Sequence, residues 1–358
     1  MNTLVQVWNR FWFAPTATST VAVLRIAYGI LIVGWTLSLA PDLFAFFAVR
    51  GIVPEQLGNT LSWYDPLWIF QSDVTIVIMF SLLLLAAIAL TLGWHARVAS
   101  GIVFLGICAF QSRNPLIFNA GDGLVRLLAF YMMLAPSGVA LSLDRLRKTR
   151  DRFWEFPLRA PWAIRLIQIQ LSVIYLSTVW AKLRGVTWND GTAIHYALRI
   201  GDLRRFPVPS FIVDSPIVVN LLTWGTLGVE LALGILVWNR TLRPWVLWIG
   251  VVMHLLIDYS ILVGFFSFVI LVAYIAFVPP ETMSKVILAV RDRYAKPGQT
   301  DRYTVDQVGD ADDLTVRHAV NRRSTGVPIR QFKVPAAASR LWGRVGGTSN
   351  AHGPRRRA

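Results

Sequence analysis

Lys182 is the residue of this sequence whose type and position most clearly point to chemistry. It ends an apolar stretch in which residues 166–180 contain no charged side chain. A lysine in that position either extends its ammonium group to the membrane surface or turns inward, into a dry pocket. In a dry pocket the charged form is disfavoured, which leaves a neutral amine that accepts protons. Trp180 and Trp188 flank Lys182 as interfacial anchors would, so both alternatives stay open.

Glu230 is an acidic side chain within a second apolar stretch, residues 221–238. A charged residue at the centre of a membrane helix costs about 2.5–3.5 kcal/mol of insertion free energy, so it needs a partner or a function. Nearby glycines would let another helix approach closely. Two roles remain open for Glu230: an ion pair with a cation such as Arg25 or Arg126, and contact with a ligand.

His254 and Asp258 lie in a third apolar stretch, four residues apart, and would share one helix face. A histidine in such a position can be a hydrogen-bonded contact between helices. It can equally act as an acid–base group or contact a quinone. The sequence does not decide between these alternatives.

Residues 111–126 form a polar connection interrupted by a proline and two glycines. Asn119 and Asp122 are good N-terminal caps for the helix that follows. Asp122 and Arg126 are four residues apart, so a helix would place them on one face as an ion pair. This pair is either structural or orients a ligand, and Asn119, Asp122 and Arg126 are candidate ligand-contacting residues.

Two long connections, residues 41–73 and 184–216, are rich in Trp, Phe, Pro and Asp. Connections much longer than ~15 residues are usually folded or functional. Trp188 and His195 follow Lys182 closely in the second connection and are further candidates for contact with a ligand.

The composition excludes an ordinary soluble protein. Of the 358 residues, 55% are hydrophobic and 15% are charged, whereas soluble domains are about 25% charged. The lone cysteine, Cys108, excludes an intrachain disulfide. The sequence shows no convincing metal-binding, Walker A, Rossmann or Ser-His-Asp motif.

The apolar stretches predict an all-α, polytopic transmembrane helical bundle. Segment 138–160 is too charged to cross a membrane, and its mixture of Leu, Phe, Trp and Arg predicts a helix at the interface. The first span is expected to be retained, because Pro41 disfavours signal-peptide cleavage. The eight predicted spans are residues 21–40, 74–93, 97–112, 122–136, 162–183, 217–237, 243–260 and 262–280.

We expect the protein to lie in the plasma membrane. The distribution of Lys and Arg then predicts that both termini lie in the cytoplasm. The expected domains are a cytoplasmic segment 1–17, a membrane domain 18–282 and a basic, largely disordered cytoplasmic tail 283–358. The net charge of +15 resides partly in this tail. Attraction to anionic membrane lipids accounts for the basic charge of the tail, so nucleic acid is not an expected partner.

Three segments together resemble the HTTM (horizontally transferred transmembrane domain) family, which includes the membrane part of vitamin K-dependent γ-glutamyl carboxylases. They are RNPLIFNAGDGLVRLLAFYMMLAPSGVALSLD, YLSTVWAKLRGVTWNDGTAIHYAL and, after the histidine of the seventh span, GFFSFVILVAYIAFVPP. The resemblance covers about residues 18–282.

The resemblance implies a lysine amine that deprotonates a reduced quinone of the menaquinone or vitamin K hydroquinone type. Lys182-Leu183, followed by Trp188 and Gly191, matches the segment around that lysine. His254 matches the histidine of the seventh-span region, and Asn119 matches the asparagine that opens the fourth span. Lys182 and His254 are therefore the expected catalytic residues.

The sequence departs from the carboxylase pattern at Gly121, where the carboxylases carry a histidine. Glutamate carboxylation is therefore not expected, whereas quinol-linked oxygenation coupled to modification of an exported peptide or small molecule is. This chemistry would use an outward-opening pocket among spans three to seven. The alternative is a non-enzymatic membrane partner, maturation factor or immunity-type protein of an exported peptide system.

Overall fold

The computed structural model describes residues 2–48, 50–52 and 72–294. These residues are mainly helical, with one two-residue strand pair in which β1 (Thr16–Ala17) runs antiparallel to β2 (Leu158–Arg159). The helices are α1 Asn2–Phe13, α2 Ser19–Ser38, α3 Leu43–Phe47, α4 Asp73–Leu92, α5 Ala96–Arg113, α6 Ala120–Leu134, α7 Leu143–Lys148, α8 Trp162–Lys182, α9 Val186–Asn189, α10 Ala193–Arg199, α11 Ser210–Asp214, α12 Pro216–Ile235, α13 Arg243–Ser260, α14 Phe266–Tyr274 and α15 Pro280–Tyr294.

Each apolar stretch predicted as a span contains a helix, and the all-α class is confirmed. Within the described ranges, α2, α4, α8 and the segment Pro216–Trp238 are long and apolar enough to cross a membrane. The segment Phe266–Phe277 and α15, bent by 104° against each other, would add a fifth span. The count of eight spans stays a prediction.

Helix α4 shows how the local sequence sets the ends of a span. The hydroxyl of Ser72 accepts a hydrogen bond from the backbone N–H of Thr75 over 3.1 Å and caps the start. Gly93, at φ +72°, ends the helix in the left-handed conformation that glycine adopts without strain. Leu85 is 64% exposed on the outside of the bundle, as a lipid-facing side chain would be.

The core lies around α2, which contributes Arg25, Tyr28 and Trp35 as fully or almost fully buried side chains. Helices α4, α5 and α6 pack in sequence order beside it. Gly29 of α2 allows this packing, since a Cβ atom there would overlap Thr91 of α4. The candidate site lies in the other half of the bundle, among α8, α12, α13 and α14.

Contacts divide the connections between helices into two groups. On one side, Arg113 donates to the carbonyl oxygen of Phe47 over 3.0 Å, and Asn119 donates to that of Val263 over 3.3 Å. On the other side, the Ser19 hydroxyl donates to the carbonyl oxygen of Pro280 over 2.8 Å. Connections predicted to face the same side of the membrane thus contact one another.

Arg25 of α2 contacts a connection on the same side as Ser19 and Pro280. Its guanidinium is buried and donates to the carbonyl oxygen of Leu141 over 2.6 Å. The predicted pairing of Arg25 with Glu230 is wrong, because Arg25 lies two turns into α2 beside the segment that follows α6. Gly93 leaves room for it, since a Cβ atom there would overlap the guanidinium.

The predicted interfacial helix over residues 138–160 is replaced by shorter elements: α7, a 3-10 turn at Arg150–Arg152 and β2. Pro157 and Pro161 cannot donate the N–H groups that a continuous helix needs. Asp144 accepts a hydrogen bond from the backbone N–H of His95 over 3.0 Å, which ties α7 to the start of α5.

The predicted tail begins as a helix, because α15 covers residues up to Tyr294. The predicted disorder of the remaining tail falls on residues 295–358, which lie outside the described residues. Most of the connection 41–73 also lies outside them.

Candidate functional site

Lys182 and Glu230 form an ion pair that joins the C-terminal end of α8 to α12. The ammonium group of Lys182 donates to one carboxylate oxygen of Glu230. The hydroxyl of Thr178 lies 3.4 Å from the other oxygen. The side chains of Lys182 and Glu230 are 23% and 9% exposed, so the glutamate side chain is buried and the lysine side chain is partly exposed. The predicted pairing of Glu230 with Arg126 is therefore wrong.

Trp188 covers a second side of the Lys182 ammonium. The lysine Nζ lies 4.7 Å from the centroid of the Trp188 ring, a cation–π contact. The chain turns at Gly185, whose N–H donates to the carbonyl oxygen of Lys182 over 2.8 Å, and the short helix α9 follows. This turn places the Trp188 indole over the Lys182 amine.

His254 lies in a buried hydrogen-bonded cluster with two tyrosines. Its Nε2 atom is 2.8 Å from the hydroxyl of Tyr175, which is itself hydrogen bonded to the hydroxyl of Tyr274. The three residues are only 2–5% exposed. The Nδ1 atom of His254 has no hydrogen-bond partner among the described residues.

The ion pair and the tyrosine cluster form one polar track through the bundle. Tyr175, Thr178 and Lys182 recur along one face of α8. The hydroxyl of Thr178 donates to the carbonyl oxygen of Tyr175 over 2.9 Å and lies 3.4 Å from the Glu230 carboxylate, so it connects the two groups. Lys182 and His254 are therefore linked through one series of polar contacts.

Gly250 makes the tyrosine cluster sterically feasible. It lies one turn before His254 on α13, where a Cβ atom would lie 2.7 Å from the hydroxyl oxygen of Tyr274 and 2.9 Å from Leu233. Real Cβ contacts are not this short. Glycine at position 250 thus allows α14 to bring the Tyr274 hydroxyl to Tyr175.

Sequence reasoning missed Thr178 and both tyrosines. Tyr175 carries a detectable signal, since it lies seven residues before Lys182 and shares its helix face. No sequence signal identifies Tyr274, because its contacts depend on how α14 packs against α8 and α13.

Asn119 and Asp122 are the predicted caps of α6, and the structure confirms them. Asn119 accepts a hydrogen bond from the N–H of Gly121, and Asp122 accepts one from the N–H of Asn119, both over 2.7 Å. The indole of Trp35 donates to the second carboxylate oxygen of Asp122 over 2.7 Å. The amide of Gln111 donates to the Asp122 carbonyl over 2.8 Å.

The predicted ion pair between Asp122 and Arg126 is wrong. Both oxygens of Asp122 accept hydrogen bonds from groups at the start of α6 and on α2. The carboxylate therefore points back toward the helix N-terminus, while Arg126 is exposed.

Phe266 connects the Asp122 cap to the histidine cluster. Its ring centroid lies 5.7 Å from that of His254. Its backbone packs against Gly121, where a Cβ atom would lie 2.7 Å from the Phe266 Cα. Position 121 therefore has no room for the histidine that the carboxylases carry.

His195 contacts residues of the connection between α8 and α12, not residues of the polar track. Its Nδ1 atom is 2.8 Å from the carbonyl oxygen of Val213, and its ring packs edge-on against Tyr196. Asp258 pairs with Arg205 over 2.9 Å. Asp258, which shares a helix face with His254, thus anchors the connection between α8 and α12 through Arg205.

Two cavities lie away from the polar track. An apolar groove of about 470 Å³ runs between α2 and α14 and includes Gly34 and Phe265. A cavity of about 480 Å³ lies between the start of α5 and α7. Neither includes Lys182 or His254, so the outward-opening pocket among spans three to seven stays a prediction.

Comparison with known proteins gives one family and one relative. The family model described as HTTM domain matches residues 13–281. YitO of Bacillus subtilis (strain 168), described as uncharacterized, is 25% identical over 206 residues, which cover 52% of this chain and 61% of that protein. The chain therefore matches less than two thirds of the relative's length. No solved structure matches the chain.

Proposed function

The chain belongs to the HTTM family and is a membrane protein, and from this premise we propose that Lys182 and His254 serve a quinone or another lipophilic ligand. One observation carries the proposal: a polar track inside the helical bundle contains an ammonium–carboxylate pair and a buried imidazole, one nitrogen of which has no partner in the part of the chain that the structure describes. Simple packing of apolar helices needs none of these groups.

The ion pair gives Lys182 a route to the neutral form. A proton that passes from the Lys182 ammonium to Glu230 leaves an amine and a carboxylic acid, and the net charge of the pair stays zero. A buried environment favours such a neutral pair more than water does. The free amine is then able to accept a proton from a ligand hydroxyl while Glu230 holds the first proton.

The donor set fits a quinol headgroup. Lys182 is partly exposed and lies under the Trp188 ring, so an aromatic headgroup approaching from the outer surface would meet both. The imidazole of His254 is buried, and its Nδ1 atom, which has no partner within the described ranges, would accept a hydrogen bond from a ligand hydroxyl or donate one to a ligand oxygen. A reduced quinone, when bound, would supply an acidic hydroxyl and the electrons for reaction with dioxygen.

The proposed reaction class is quinol-linked oxygenation, coupled to modification of an exported peptide or small molecule. Glutamate carboxylation is left out of the proposal. The reason is that Gly121 replaces the histidine of the carboxylases, and the backbone of Phe266 lies where a side chain at position 121 would begin.

We further propose that the protein crosses the plasma membrane eight times with both termini in the cytoplasm. The two groups of connections support this arrangement, since alternating helices would place every second connection on the same side. Lys182, Trp188 and Asn119 then lie at the outer side.

The test measures binding of a short-chain menaquinol and dioxygen uptake by the purified full-length protein in detergent. We expect Lys182→Ala to lower quinol-dependent uptake by about 100-fold or more, the usual contribution of a positioned base. Lys148→Ala, an equal charge change on α7, is the matched control and should be without effect. Unchanged binding and turnover in Lys182→Ala would sink the proposal.

A non-enzymatic role is the second candidate function, and the contacts of the Lys182–Glu230 ion pair favour it. Lys182 is held by both Glu230 and Trp188, as in a purely structural link between α8 and α12. The exchange Lys182→Glu with Glu230→Lys separates the candidates, because it keeps the pair and moves the amine to α12. A structural link predicts that this double variant keeps its stability and that the wild-type protein shows no quinol-dependent uptake.

A further inference from the structure

Three arginines gather at the opposite end of the bundle from Lys182. Arg165 lies in the first turn of α8, Arg240 lies between α12 and α13, and Arg243 begins α13. Arg243 donates to the carbonyl oxygen of Trp238 over 3.4 Å, and Arg240 lies two residues after Trp238 in the same short connection. Among the described residues none of them forms an ion pair with a carboxylate.

Aromatic packing holds the cluster together. The guanidinium of Arg165 lies 4.9 Å from the centroid of the Phe11 ring and donates to the Phe11 carbonyl oxygen over 3.3 Å. Arg243 donates to the carbonyl oxygen of Val237 over 2.9 Å. The rings of Phe11 and Trp238 are 6.0 Å apart and connect the two arginines.

This arrangement is electrostatically unfavourable without an anion. Arg165 and Arg243 lie at helix N-termini, where the helix dipole disfavours cations. The first N–H groups of α8 and α13 have no partners within their own helices, and such groups attract anions. Repulsion among the three guanidinium groups adds to the cost.

The surroundings are those of a membrane surface. Helix α1 presents exposed apolar side chains, among them Leu4 (79% exposed) and Trp8 (61% exposed), beside the cluster. Trp245 near the start of α13 is 69% exposed. Amphipathic helices and exposed tryptophans mark the level of lipid headgroups.

We infer that Arg165, Arg240 and Arg243 bind the phosphate of an anionic phospholipid, with α1 lying in the same leaflet against its acyl chains. The phosphate supplies the missing negative charge, and the apolar face of α1 selects a lipid over a free anion. Arginine suits this role because its planar guanidinium forms paired hydrogen bonds with phosphate oxygens. The site is separate from the Lys182 track and does not depend on the proposed chemistry.

The test is native mass spectrometry of the full-length protein with phosphatidylglycerol and, separately, phosphatidylcholine. We expect the triple variant Arg165→Gln, Arg240→Gln, Arg243→Gln to lose phosphatidylglycerol binding by at least tenfold and to bind phosphatidylcholine unchanged. The matched control removes three cations elsewhere on the same predicted side, with Arg97→Gln, Arg147→Gln and Lys148→Gln, and should keep its lipid.

Arg240→Gln alone keeps the test decisive if the triple variant does not fold, since Arg240 is exposed. One cation near a membrane surface contributes ~1 kcal/mol, so we expect roughly fivefold weaker binding. Equal losses in the control variant, or no loss in Arg240→Gln, would overturn the inference. Displacement of the lipid by millimolar inorganic phosphate would also overturn it, because the site would then select a free anion.

Discussion

Lys182 and Glu230 differ in how far each can reach water, although they share one ion pair. The carboxylate side chain is 9% exposed and the lysine side chain 23%. Removal of either partner therefore has unequal consequences, because the carboxylate left behind stays buried while the ammonium can turn toward the surface and keep its contact with Trp188.

We expect Lys182→Met to lower the free energy of unfolding by about 3–5 kcal/mol, the usual cost of leaving a buried charge unpaired. Glu230→Gln should cost less. The double variant should be more stable than Lys182→Met alone, since it leaves no orphaned charge. Thermal unfolding of all three variants in detergent gives the comparison, and equal losses in the two single variants would contradict it.

Gly250→Ala tests the packing around Tyr274. The added methyl group would lie 2.7 Å from the tyrosine hydroxyl oxygen, so we expect a loss of about 1–3 kcal/mol in unfolding free energy. Gly225→Ala on α12 is the control, because nothing lies within 4 Å of its Cβ position. A stable Gly250→Ala variant would mean that α13 and α14 are further apart than described.

Gly121 and Gly123 offer a matched pair within one helical turn. Gly121→Ala should destabilise the protein by about 1–3 kcal/mol, because its Cβ atom would meet the backbone of Phe266. Gly123→Ala should be neutral or slightly stabilising, since the space beside it is open. Circular dichroism melting curves measure both, and similar melting temperatures would rule out the described contact with α14.

Tyr175→Phe removes the hydroxyl shared by His254 and Tyr274. It leaves two buried polar groups without that partner, and we expect a cost of about 1–3 kcal/mol. Tyr131→Phe removes one bond, to Gln170 over 3.0 Å, from a partly buried site and should cost less. Chemical unfolding in detergent measures the difference, and the reverse order would contradict the buried cluster.

Cysteine labelling tests the proposed orientation. In a Cys108→Ala background, Ile200→Cys should react with an impermeant maleimide added outside intact cells, since residue 200 is 48% exposed in a connection proposed to face outward. Lys148→Cys should react only after the cells are opened. The opposite pattern would place both termini outside.

The sequence predicts the helices because each is an apolar run ended by polar or helix-breaking residues. The sequence also predicts the N-terminal cap of α6, because the hydrogen bonds between Asn119 and Asp122 are local and join residues only three positions apart. It fails where the outcome depends on helix rotation. Glu230 faces Lys182 rather than Arg25 or Arg126, and Asp122 turns back toward Trp35, and neither choice follows from spacing.

The single interfacial helix predicted over residues 138–160 fails for a different reason. Hydrophobic periodicity favoured a helix, but two prolines and the hydrogen bonds of Asp144 to the start of α5 shorten it. The proline positions were visible in the sequence. The contact with α5 was not, since it depends on the turn at Gly93.

The polar track unites α8 with α14, and the hydrogen-bonded tyrosines are 99 residues apart. A ribosome would therefore deliver Tyr175 and Lys182 to the membrane long before their partners exist. Glu230 emerges next, then His254, and Tyr274 last. A chain stopped before residue 266 would therefore already pair Lys182 with Glu230 and Tyr175 with His254, and would lack only Tyr274, so the last turn of synthesis completes the cluster rather than begins it.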